Sequence, residues 1–207
     1  MRQPQRPVRT AGGSSKAGSE VTLNSRERIL AAATRIAQAH GYGGMNVRDL
    51  ATEVGIKAAS IYHHFPSKAA LGAAVAQHYR EAATARLEAL RAESADARQA
   101  LRQYPATFRT ALQNDNRLCL ASFMAAEYDD MPEPVRQEAQ AFAAVNIAWL
   151  GRQLEAAGLV SADAAEPRAQ AIFAAIAGAQ LLARSRADIA LFDRLIDSYR
   201  SAGLLPD

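Results

Sequence analysis

Cysteine occurs once in the 207 residues, at Cys119, so no disulfide can form within the chain and a reducing compartment is expected. Aromatic residues make up only 6% of the chain and β-branched residues are sparse, which argues against sheets, whose pleated faces those side chains fill. No apolar run is long enough to cross a bilayer. The longest, AIFAAIAGAQLLA at 171–183, falls short of the roughly 20 residues a spanning helix needs and carries Gln180 within it. The N-terminal arginines are followed by no apolar stretch, so no secretory leader is read and a soluble cytoplasmic protein without a membrane partner is expected. Nor does the chain carry a nucleophile–base pairing, a metal-ligand cluster or a phosphate-cradling glycine loop, so neither an enzyme nor a cofactor or metal site is expected.

What the chain does have is alanine, in an apolar content of 49%, and alanine is the best helix former. The length suffices for one large or two small domains with a real core. Charge is distributed unevenly. Residues 1–70 carry ten Lys or Arg against four Asp or Glu, a net of +6, whereas the whole chain stands at +3, leaving −3 for residues 71–207. A basic N-terminal third on an acidic remainder suggests a polyanion-binding head on a body with another task.

Residues 1–22 are rich in Pro, Gly, Ser and Arg and lack periodicity, which reads as a disordered basic arm. Order is expected from Asn24, which with Glu27 has capping-box spacing. Ile29, Leu30, Ala33, Ile36 and Ala37 then form one helical stripe that ends at Gly41. Asn46 can cap a second helix over 47–54, Gly55 breaks it, a third covers 58–65, and Pro66 with Ser67 closes that helix and caps a fourth running to about Glu93. Further helices are expected over 97–114, 118–128, 133–157, 165–186 and 189–202. Pro105 should kink or break the first of these, and Pro167 should mark a boundary.

Within VRDLATEVGIKAASIYHHFPSK (47–68), the residues Ala51, Gly55 and Ile61 have the spacing of a helix-turn-helix. A small residue lets two helices cross closely, glycine permits a left-handed turn, and isoleucine fills the angle between the helices, with Leu50, Val54 and Phe65 completing a small core. Lys57, Ala58, Ala59, Ser60, Tyr62 and His63 are left facing outward, small and polar as close approach to a major groove requires. Ala58 and Ala59 suit thymine methyls, and Arg48 suits guanine O6 and N7, although Asp49 or Glu53 could instead hold Arg48 in an ion pair. His63 and His64 point about 100° apart on a helix, and with no further ligand at i+4 they read as phosphate donors instead of a metal pair.

SRERILAAA at 25–33 and GYGGMNVRDLATEVGIKAASIYHHFPSKAAL at 41–71 resemble the TetR family of bacterial transcriptional regulators, over roughly a quarter of the chain. The resemblance implies an all-α protein of about nine helices. It has an N-terminal three-helix helix-turn-helix DNA-binding domain (23–68), followed by a larger helical effector-binding and dimerisation domain (69–207). It also implies that Arg48, Ala58, Ala59 and Tyr62 face base edges, and that Ser60, His63, His64 and Lys68 contact phosphates. Two positions depart from the family's common Thr or Ser. Met45 removes a hydroxyl, and Lys57 replaces a good cap of the recognition helix with a cation that gains from a nearby phosphate.

One recognition helix reads too few base pairs, so a homodimer on a palindromic operator in double-stranded DNA is expected. Its interface is expected on the last two helices: Ala171, Ala174, Ala175, Gly178 and Leu182 with Ile189, Leu191, Phe192, Leu195 and Ile196. Tyr104, Phe108, Phe123, Glu127, Phe142, Asn146 and Trp149 are the candidate wall of a small-molecule effector pocket, with plain helical core as the other reading of the aromatics. Cys119 is read as a small buried apolar residue, with a thiol sensor as the other reading. The expected function is a regulator, a repressor released when an effector binds. The other reading is a DNA-binding protein of the same fold without an effector.

Overall fold

The computed structural model describes residues 24–207, so the basic arm of 1–22 lies outside the described residues. Every regular element within them is helical. The first helix, α1 (Ser25–His40), opens on the expected capping box. Asn24 accepts from the Glu27 N–H, and the Glu27 carboxylate accepts from the Asn24 N–H, each at 2.9 Å. Next come α2 (Val47–Val54), capped by the Asn46 side chain, and α3 (Ala58–His64), where the helical turn stops one residue earlier than expected, with Phe65 as its C-cap. Ser67 caps α4 (Lys68–Glu93), whose 26 residues run from the head through the body.

Pro105 divides the expected 97–114 helix into α5 (Ala97–Gln103) and α6 (Ala106–Gln113). Tyr104 and Pro105 keep helical dihedrals, so the chain bends there and does not reverse. A short α7 (Leu120–Ala126) leads through a 3₁₀ turn at Tyr128–Asp130 into α8 (Glu133–Ala156), α9 (Ala162–Ser185) and α10 (Ile189–Ser201). Pro167 does not bound a helix. It lies inside α9, which begins at Ala162, three residues before the expected start. The ring there removes only the bond to the carbonyl of Asp163, an exposed residue at the helix start that water can serve.

Two apolar clusters hold these helices. The first joins α1–α3 to the upper part of α4 and continues into Leu120 and Met124 of α7 and Val135 of α8. The second fills the body between α4, α5, α6, α8, α9 and α10. Helix α7 belongs to both, because its neighbouring residues Cys119 and Ala121 pack into the body. Gln180, fully buried in α9, fixes where α7 starts. Its amide oxygen accepts from the Cys119 N–H at 3.0 Å and its amide nitrogen donates to the Phe108 carbonyl at 2.7 Å, so neither polar end is left unpaired in the core.

Candidate nucleic-acid interface and the body behind it

The α2–α3 corner is built as the residue types dictate. Gly55 takes φ 75° and ψ 36°, a left-handed conformation in which a Cβ is costly. The Ile56 N–H returns to the Ala51 carbonyl at 2.9 Å, and Ala51, Ile61 and Phe65 are buried in the angle. Two arginines of α1 steady the far end of α2. Arg28 donates to the Val54 carbonyl at 2.8 Å, and Arg35 pairs with Glu53 at 2.7 Å. Because Glu53 is engaged by Arg35, one of the two intramolecular partners available to Arg48 is taken. Among the described residues Arg48 makes no ion pair, and its side chain is exposed.

The outer face of the corner gathers the predicted residues. Lys57, Ala59, Ser60, His63 and His64 are exposed and Ala58 is half-buried, while Tyr62 is 49% exposed, unusual for a large ring among its own polar neighbours. Lys57 makes no side-chain cap on α3. The His63 and His64 rings meet edge to face at 5.5 Å with their planes 70° apart. Lys68 differs from the others. Its ammonium donates to the Gly43 carbonyl at 3.1 Å and sits 4.7 Å from the centre of the Tyr42 ring, so it also braces the α1–α2 turn.

That turn is held from the body as well, by a residue whose role the sequence did not suggest. The Glu127 carboxylate, at the end of α7, accepts from the N–H of Tyr42 at 2.6 Å and of Gly43 at 3.2 Å. Its carboxylate is thus engaged by the head, and it is not among the residues around the hollows of the body described below. The other aromatic candidates separate too. Tyr104 and Trp149 stack on each other at 5.6 Å inside the body's core, and the indole is 1% exposed, so both serve packing. Phe123 lies under the Arg184 guanidinium at 5.2 Å and lines none of those hollows. Phe108, Phe142 and Asn146 do line a small hollow together, with Tyr79, Arg86, Thr107 and Cys119, which the sequence did not single out for it. Asn146 is oriented there by accepting from the Tyr104 hydroxyl and donating to the Phe142 carbonyl, both at 2.9 Å. Burial holds the Tyr104 phenol well above its ordinary pKa of 10, so this donor stays protonated.

On the far side of the body, α9 leaves a face uncovered. Ala171, Ala174 and Gly178 are exposed, followed by Leu181 and Leu182 at 58% and 42% exposure. An apolar groove of about 340 Å³ between α7, α8 and α9 opens beside it, lined by Phe142, Phe173, Gly178 and Leu181. On α10 the expectation needs correcting. Phe192 and Ile196 are 1% and 3% exposed and point into the body's own core, because the helix's strongly apolar side faces α6 and α9; only Ile189, Leu191 and Leu195 remain partly open.

Comparison with known proteins agrees with this architecture. The family model for bacterial regulatory proteins of the tetR family matches residues 29–75, and that for the C-terminal domain of LmrA/YxaF-like transcriptional regulators matches residues 97–198. The HTH-type transcriptional regulator LmrA of Bacillus subtilis (strain 168) is 46% identical over 43 residues, a stretch covering 21% of this chain and 23% of LmrA. A TetR transcriptional regulator from Legionella pneumophila superposes with a TM-score of 0.82 at 29% identity, over 88% of this chain and 98% of that one. A TetR-family regulator from Agrobacterium tumefaciens does so with a TM-score of 0.78 at 29% identity, over 86% and 96%. With the helix-turn-helix at its head and the regulator-type helical body behind it, the chain belongs to the TetR family of bacterial transcriptional regulators.

Proposed function

We propose that the protein is a ligand-responsive repressor that holds a palindromic operator as a homodimer and releases it when a small molecule binds the body. The observation that carries this reading is the outer face of α2 and α3: exposed Arg48, without an ion pair among the described residues, then Ala58, Ala59 and Tyr62, with Ser60, His63 and His64 beside them. Small side chains allow the helix to sit deep in the major groove, Arg48 and Tyr62 meet base edges, and the hydroxyl and imidazoles meet phosphates. Lys57 gains a phosphate partner on binding that offsets its poor capping.

The uncovered stripe of Ala171, Ala174, Gly178, Leu181 and Leu182 supports pairing through α9, with the open edge of α10 alongside. Two chains related by a twofold axis present two recognition helices to half-sites roughly 34–36 Å apart. Release follows from linkage: a ligand that prefers another arrangement of the heads draws the population away from the one that fits DNA. Helix α7 is suited to carry this change, since one end is fixed in the body by Gln180 and the other grips the α1–α2 turn through Glu127.

The test is release. An operator duplex is selected with the purified protein, and metabolites are then screened for loss of the complex and for a rise in melting temperature of the free protein. The reading predicts compounds that do both. A protein that binds its operator tightly but gains stability from none of them is a DNA-binding protein without an effector.

A further inference from the structure

Two adjoining hollows in the body share Tyr79, Arg86 and Thr107. The outer one, about 190 Å³, opens between α1, α4 and α6 and is also walled by Gln38 and Asn114. The inner one, about 20 Å³, has room for a single water and reaches Phe108, Phe142 and Asn146. Tyr79 forms part of both walls. Its ring stacks on Phe142 at 5.5 Å, and the Arg86 guanidinium lies 6.0 Å from its centre. The mouth is thus cationic and the depth is aromatic.

No Asp or Glu lines either hollow, and among the described residues Arg86 makes no ion pair. We infer that this cleft binds a small aromatic carboxylate in its outer hollow, the two oxygens on Arg86 and the ring against the edge of Tyr79; the assignment rests on the ligand-responsive reading above and names its ligand class. A planar guanidinium matches a carboxylate with two parallel hydrogen bonds. A dianion such as a phosphate monoester is disfavoured, because no second cation stands in either wall to neutralise it. The outer volume lies below the roughly 300–1,000 Å³ of drug-sized sites, so the ligand is small. Tyr79 in the wall of the outer hollow, beside the methyl groups of Thr107, Thr110 and Ala111, favours an aromatic body over a sugar.

The experiment titrates the full chain at pH 7 with benzoate, cinnamate and 2-naphthoate, each beside its uncharged amide, by calorimetry and by Trp149 fluorescence. At least one acid is expected to bind ten-fold or more tighter than its amide. Arg86→Gln is expected to bring that acid down to the level of the amide while leaving the amide's own affinity unchanged. Arg86 is exposed, so the variant keeps the fold, which circular dichroism verifies. Equal affinity of acid and amide overturns the assignment, as does full acid affinity in Arg86→Gln, or binding of none of the acids at millimolar concentration. Acid binding that leaves operator affinity unchanged keeps this ligand class and removes the regulatory reading. Absence of acid binding in a protein that some other compound releases from its operator does the reverse.

Discussion

The backbone N–H of Tyr42, at the end of α1, donates to the carboxylate of Glu127, at the end of α7, at 2.6 Å across 85 residues of sequence. Because the same carboxylate also takes the Gly43 N–H, one side chain of the body satisfies two amides of the head at the turn that positions α2. Charge-assisted bonds of this kind are stronger than neutral ones, and this pair ties α7 to the α1–α2 turn beside the apolar cluster that both share.

Removing that carboxylate should therefore loosen the head without touching any residue of the outer face proposed to meet DNA. We expect Glu127→Ala to cost about 1–2 kcal/mol, since it strands two amide donors that water can only partly serve. Hydrogen exchange at Tyr42 and Gly43 should quicken. Gly41→Ala should cost at least as much, because Gly41 sits at φ 71° and a Cβ there runs into the Glu127 carboxylate. Urea denaturation and residue-resolved exchange check both variants, and unchanged protection at Tyr42 in Glu127→Ala would contradict the assigned contact.

Gly178 separates packing within one chain from packing between two. A Cβ built there meets nothing within 4 Å in its own chain. In a monomer, Gly178→Ala should raise stability by about 1 kcal/mol through helix propensity alone. If α9 meets a second α9 at this stripe, the added methyl holds the helices apart and the dimer weakens. Sedimentation should show a dimer dissociation constant raised about ten-fold, equivalent to about 1.4 kcal/mol. A variant that melts higher and stays fully dimeric would place the interface elsewhere.

The tie between α6 and α10 should respond to acid. Arg109 donates to both oxygens of Asp193, at 2.8 and 2.9 Å, and this hydrogen bonding holds the Asp193 carboxyl below its ordinary pKa of 3.8. A depressed carboxyl stabilises the fold above its unfolded pKa of about 3.9, and that contribution disappears as pH falls through the lower folded value. Both side chains are partly exposed, so the gain is small, about half a kcal/mol. Asp193→Asn should therefore be slightly less stable than the parent at pH 7 and indistinguishable from it near pH 2, as read by denaturant titration. A gap that widens on acidification would reverse the sign.

On DNA, Arg48→Ala and Tyr62→Ala should weaken binding to the selected operator more than to random duplex, by about 1–3 kcal/mol each. Lys68→Ala should weaken both alike. Its ammonium spends one donor on Gly43 and keeps others for a phosphate, so the salt dependence should also flatten by about one unit. An unaltered slope would assign Lys68 to bracing the turn alone.

Local chemistry made the head readable from sequence. Asn24 with Glu27, Asn46, Gly55 and Ser67 each act within four residues of their own position, and each terminus lies where those side chains dictate. The body was legible only as helices. Periodicity shows that Tyr104, Trp149, Phe192 and Ile196 face something, but not whether it is core, cavity or partner, and all four face the core. Glu127 carries no local signature, because its partners are backbone amides of a distant turn. Tyr79 and Arg86 likewise come together with Phe142 and Thr107 only through the packing of α4 against α6 and α8. Pro167 misled because a proline near a helix start is tolerated where the carbonyl it leaves free is exposed.

The most direct test of the central claim, that the outer face of α3 reads a DNA sequence, is selection of random duplexes by the purified chain at about 150 mM salt, followed by sequencing. The account predicts enrichment of a palindrome with half-sites one helical turn apart, bound at least about a thousand-fold tighter than bulk DNA, and loss of that preference in Tyr62→Ala. A pool that emerges with no preferred sequence would contradict it.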